Sequence, residues 1–194
     1  MRKIFATTLL CTVLAASPGA AAQLEAPGGV GGCVFLGISR EMRLATMAAY
    51  ARGGPSAIGE VQNLRREIQE PARRCSDGGD INRDDALLAA FLSTVMKSTN
   101  ALKLSRHGLA QARLDAVWAQ AAQADKALFV AHAQSFFAGQ PAPEFSDQGA
   151  AALVDALALS PSTRAEAHRD GIHYFQAVAM NEMAEARLAS KAGQ

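Results

Sequence analysis

NRDDALLAAFLSTVMKSTNALKLS, residues 82–105, decides the fold. Leu88, Phe91, Val95 and Leu102 recur along it at helical spacing, and Leu87, Leu92 and Met96 widen the stripe. A stripe that broad marks a helix touched by several neighbours, so this segment is expected at the centre of a bundle. Asn82 is the expected cap. Asp84 and Asp85 put negative charge at the positive end of the helix dipole.

Upstream, Ser56 is expected to cap a helix with Ile58, Val61, Leu64, Ile68 and Ala72 inward. Its opposite face carries Glu60, Arg65, Arg66, Gln69 and Arg73, a solvated face of mixed charge. Pro71 is expected to end or kink this helix near Glu70. An earlier helix runs from Ser39 to about Arg52, with Ile38, Met42, Ala45 and Ala49 on one face. Residues 23–38, beginning QLEAPGGVGG, read as a flexible glycine-rich leader.

Downstream, the pattern breaks near Ser105 and resumes as one long segment from Arg106 to about Ala138. Ala110, Leu114, Val117, Ala121, Ala124, Leu128 and Ala131 form a heptad-like seam there. Trp118, Ala122, Phe129 and Phe136 form a second stripe, and a bend is expected somewhere in so long a segment. GQPAPEF, residues 139–145, interrupts the helix. Ser146 caps a short helix, and Ser160-Pro161 opens the last one, with Thr163 and Glu166 as a capping box. Ile172, Phe175, Ala179, Met183 and Ala186 form its inner stripe. No stretch alternates apolar and polar residues long enough for a strand. The expectation is an all-α, irregular bundle of about six helices, a single domain over residues 39–194.

Composition agrees. The chain has 42 alanines in 194 residues, and alanine is the best helix former. Apolar residues make up 49% and charged residues 19%, which excludes a disordered chain. A formal charge of +1 lacks the basic excess of a nucleic-acid binder.

Residues 1–22 read as a cleaved signal peptide. Arg2 and Lys3 precede an apolar run from Ile4 to Ala16, and Ala20-Ala21-Ala22 offers a small-residue cleavage site before Gln23. The apolar run is shorter than the ~20 residues of a spanning helix. The expected location is periplasmic or secreted, with no membrane span in the mature chain. No Asn-x-Ser/Thr sequon occurs, as in a bacterial exported protein. Two cysteines remain after cleavage, Cys33 and Cys75. An even count in an oxidising compartment, without a Cys-x-x-Cys, points to a structural disulfide.

The chemistry is sparse. Asp77–Asp85 (DGGDINRDD) has part of the spacing of a calcium loop, but Arg74, Ser76 and Gly78 stand where early ligands belong. Asp170-x-x-His173, with Glu166 one turn earlier, puts two carboxylates and an imidazole on one helix face. These three are the candidate metal ligands. A di-iron bundle needs a second such pair, and none occurs. There is no haem motif, nucleophile elbow, phosphate loop or dinucleotide fingerprint. Lys97, Lys103, Lys126 and Arg113 fall on polar faces of their own helices, so no pocket for a dicarboxylate is expected. Phe129, Phe136, Phe137, Phe145, Tyr174 and Phe175 read as core, except that adjacent Phe136 and Phe137 cannot both face inward. No cofactor is expected. The expected role is a non-catalytic periplasmic binding or interaction protein with a protein partner. The alternative is a metal- or small-ligand-binding protein, or enzyme, using Glu166, Asp170 and His173.

Overall fold

The computed structural model describes residues 26–52, 64–141, 143 and 147–192. Eight helices occur among them, and no strands: α1 (Gly29–Gly37), α2 (Arg40–Arg52), α3 (Arg65–Cys75), α4 (Asp85–Ser105), α5 (Gln111–Gln120), α6 (Gln123–Ala138), α7 (Asp147–Asp155) and α8 (Pro161–Ala192). The all-α bundle is therefore seen, with two more helices than the sequence suggested. The proposed signal peptide, the Ser56 start of the α3 region, Ser146 and Phe145 lie outside the described residues.

The central place of residues 85–105 is observed. The most extensive contact in the molecule is between α4 and α8, and α1, α2 and α5 also pack on α4. Two larger apolar cores follow from this. One gathers Val34, Phe35, Ile38, Met47, Ile68, Ile81, Leu87, Phe91 and Val95 from α1 to α4. The other gathers Leu104, Leu109, Leu114, Trp118, Phe129, Leu153, Leu157, Tyr174, Phe175 and Val178 from α4 to α8. Ala89, Ala90 and Ala184 form a small cluster at the close approach of α4 and α8. Asn181 beside it donates to Ser93 Oγ at 3.1 Å. A rosette of rings fills the second core. Trp118 stacks on Phe175 at 6.2 Å, and Phe129 meets both edge-on. The Trp118 indole N–H donates to Glu182 at 2.7 Å, so its polar atom is satisfied.

Several local expectations are corrected. Of the flexible leader over residues 23–38, residues 29–37 form α1, with Gly31, Gly32, Val34 and Phe35 buried. The glycines there serve close packing. A Cβ on Gly31 would lie 2.2 Å from the Ala90 carbonyl oxygen of α4. The amides of Val30 and Gly31 donate to the Glu185 carboxylate of α8 at 3.0 and 2.9 Å. A side chain from the far end of the sequence thus does what a local cap would do.

Asp84, not Asn82, caps α4, accepting from the Ala86 and Leu87 amides at 3.0 and 3.2 Å. Asn82 is instead turned by Asp80, whose carboxylate takes its amide at 2.9 Å. Pro71 does not end α3. It is buried, with Gly37 of α1 close enough that a Cβ there would lie 3.0 Å from the ring, so the lost hydrogen bond is offset by packing. At the start of α8, Ser160 Oγ accepts the Thr163 amide at 3.3 Å, so the cap sits earlier than the Thr163–Glu166 box.

The single segment 106–138 is two helices, with Ala121 and Ala122 extended between them. The expected bend is thus a full break. It splits the seam: Ala110 and Ala124 are exposed, whereas Leu114 is buried and Val117 and Ala121 pack against the second core. Trp118 and Phe129 of the second stripe, with Ala133, complete the interior. Area decides this, since a ring removes far more apolar surface from water than a methyl group. Gly139, at φ 63°, ends α6 in the left-handed conformation.

The Cys33–Cys75 disulfide is present and ties α1 to the end of α3. Among the described residues, no helix is long and apolar enough to cross a membrane.

Candidate functional site

The three candidate metal ligands are split by the fold. Glu166 is exposed, and its carboxylate lies 3.7 Å from His107 Nδ1. Asp170 instead pairs with Lys103 of α4 at 3.1 Å. His173 lies beside Asp170 in a cleft that Glu166 does not line. Among the described residues, no group of three or more His, Cys, Asp and Glu side chains is arranged to hold a metal ion.

The cleft itself has a definite chemistry. It encloses about 320 Å³ between α2, α4 and α8 and is lined by Tyr50, Ala51, Arg52, Lys103, Arg169, Asp170 and His173. Each helix brings its part for a local reason. α2 ends at Arg52, which puts Tyr50–Arg52 at the mouth. Lys103 stands in the last turn of α4, where positive charge is favoured by the dipole. Arg169 and His173 are four residues apart on α8, and so share a face with Asp170 between them.

Among the described lining residues three cations and one carboxylate sum to a formal charge of +2 with a neutral imidazole, and Arg52 has a partner of its own. That imidazole is held neutral: burial and the nearby Arg169 and Lys103 charges push the His173 pKa below its ordinary value, against a smaller opposing pull from Asp170. His173 makes no hydrogen bond among the described residues. Burial pushes the Tyr50 phenol up, so it stays a neutral donor. Its oxygen accepts from Asn100 Nδ2 at 3.4 Å, and Asn100 is itself fully buried and also tied to the Met96 carbonyl. The Lys103–Asp170 bond fixes the ammonium over α8 and occupies Asp170 Oδ1. Asp170 Oδ2 has no hydrogen-bond partner among the described residues.

Of Lys97, Lys103, Lys126 and Arg113, from which no dicarboxylate pocket was expected, Lys103 lines this cleft. Lys103 does lie on a polar face of α4, but α2 and α8 flank that face and enclose it. Tyr50, Arg52 and Arg169 escaped the sequence reading, because their meeting depends on helices far apart in the chain. The only local hint was Arg169 at i, i+4 from His173. The other lysines have different places: Lys97 pairs with Asp115 at 2.8 Å, and Lys126 lies 5.1 Å over the Trp118 ring. The Arg113 guanidinium donates to the Leu157 carbonyl.

A larger cleft of about 480 Å³ lies beside the disulfide, lined by Val30, Cys75, Asp84, Glu185, Leu188 and Lys191 among others. Three of its charges are spent on structure. Glu185 caps α1, and Asp84 caps α4 and binds Lys191. The Phe136–Phe137 expectation holds: Phe136 is 48% exposed, Phe137 is half-buried, and Arg187 lies 4.3 Å over the Phe137 ring. No family model, no curated protein and no solved structure matches this chain.

Proposed function

We propose that this chain is an exported, non-catalytic binding protein that holds a small anion in the α2/α4/α8 cleft. One observation carries the reading: Arg52, Lys103 and Arg169 line a single cavity in which, among the described residues, Asp170 is the one carboxylate. A net positive cleft favours an anion, and the neutral Tyr50 and His173 side chains add hydrogen-bonding groups without adding charge. The export half of the proposal rests on residues 1–22 and on the disulfide, which fits an oxidising compartment.

Calorimetric titration with succinate and with inorganic phosphate at low ionic strength tests the binding. At least one binds, and Arg169→Ala weakens it by about tenfold or more, the loss of one charge-assisted hydrogen bond. Lys97→Ala, outside the cleft, leaves it unchanged. No heat with either of these, nor with L-malate or L-aspartate, refutes the reading. Mass spectrometry of the periplasmic fraction checks export: the chain begins at Gln23. An uncleaved chain in the cytoplasm refutes that half.

The exposed Phe136 favours a second reading, a protein partner at the end of α6. Crosslinking in the native envelope tests it, with Phe136→Ser expected to abolish the crosslinked species.

A further inference from the structure

The cleft holds acceptors as well as cations, and the two kinds of group are unequally committed. Asp170 and His173 line the cavity, and among the described residues Asp170 Oδ2 and the His173 ring have no hydrogen-bond partner. A simple dianion would use the cations and leave its own charge facing the Asp170 carboxylate, which costs energy. A ligand that also donates a hydrogen bond turns that carboxylate from a repulsive neighbour into a partner. An ammonium group would donate too, but it would enter a cavity already lined by Arg52, Lys103 and Arg169. A neutral hydroxyl donates without that repulsion. The volume of about 320 Å³ suits a molecule of a few carbons.

Resting on the anion-binding reading above, we propose that the ligand is a small hydroxycarboxylate. Its carboxylates meet Arg169 and Lys103, and its hydroxyl donates to Asp170 Oδ2. The Tyr50 hydroxyl, backed by Asn100, donates to a carboxylate oxygen. Lys103 has a positioning role as well, since its bond to Oδ1 turns the other oxygen of Asp170 to the ligand. The specificity thus resides in a carboxylate placed where anion attraction alone would exclude one.

Titration of the purified protein with L-malate, succinate, L-aspartate and inorganic phosphate tests this. The first two differ by one hydroxyl. Malate binds about tenfold tighter than succinate, the range of a hydrogen bond to a charged group. Aspartate binds more weakly than malate. In Asp170→Asn the malate preference falls to about twofold or less, while succinate binds more tightly because the like charge is gone. Circular dichroism melting establishes that this variant is folded. Equal or tighter binding of succinate, an unchanged preference in the variant, or binding of phosphate alone overturns the hydroxycarboxylate while leaving anion binding intact. Failure of all four ligands overturns both.

Discussion

Replacing Gly31 with alanine probes the least expected part of the fold, the seating of α1 on α4. The Cβ would fall 2.2 Å from the Ala90 carbonyl oxygen and 2.8 Å from Thr94 Oγ1. An ordinary contact is at least 3.4 Å, so α1 must retreat by roughly 1 Å. The carbonyl belongs to the backbone of the central helix and cannot move aside. Retreat strains the packing of Val34 and Phe35 and lengthens the bonds from the Val30 and Gly31 amides to Glu185. Overpacking of this kind costs about 1–3 kcal/mol, and a weakened bond to a charged group adds to it. Alanine returns about 1 kcal/mol through helix propensity. The balance is a loss of about 1–3 kcal/mol, or a fall in Tm of about 2–12 °C for a chain of this length. Calorimetry on the wild type, Gly31→Ala and Gly28→Ala measures it. A methyl group added at Gly28 would meet nothing within 4 Å, so that variant stays within about 0.5 kcal/mol of wild type. A Gly31→Ala protein that melts at or above the wild-type temperature would refute the docking of α1, because propensity would then act unopposed.

Cys33→Ser/Cys75→Ser frees two points 42 residues apart and lowers stability by up to about 4 kcal/mol, read as the denaturation midpoint with and without reductant. An unchanged midpoint would mean the bridge does not constrain the unfolded chain. Asp84→Ala loses the cap on Ala86 and Leu87 and costs about 1–2 kcal/mol, whereas Asn82→Ala is near neutral by the same urea titration. The reverse ranking would restore Asn82 as the cap. Acidification should also weaken the fold. Burial lowers the pKa values of His132 and His173 in the folded protein, so the unfolded chain binds more protons. Their contribution is intact above the ordinary histidine value of about 6.5 and declines as pH falls through it toward the folded values. Urea midpoints at pH 7.5 and 5.5 show the decline, and His132→Gln/His173→Gln flattens it. A midpoint that rises on acidification contradicts the sign.

The helices with strong patterns were legible from the sequence. Leu87, Phe91 and Val95 identify α4, and Ile172 to Met183 identify α8, because large apolar side chains at helical spacing leave few alternatives. The Cys33–Cys75 pairing followed from parity alone. Three things were not legible. α1 is rich in glycine for the sake of contact with α4, and a packing glycine looks like a flexible one until its neighbour is known. Within the seam of residues 110–131, Leu114 goes inward while Ala110 and Ala124 are exposed, because the helix breaks at Ala121 and Ala122. The cleft depends on three helices, and each of its cations has an unremarkable place on the polar side of its own. Asp170 and His173 were singled out correctly as neighbours, but the missing information was who faces them: Lys103 and Arg169, not a third metal ligand.

The grip of Glu185 on α1 orders events in time. α1 is held by a residue more than 150 positions downstream, so it is fully seated only once α8 is in place. Once formed, the Cys33–Cys75 bond keeps α1 beside α3 and shortens the search that the distant carboxylate completes.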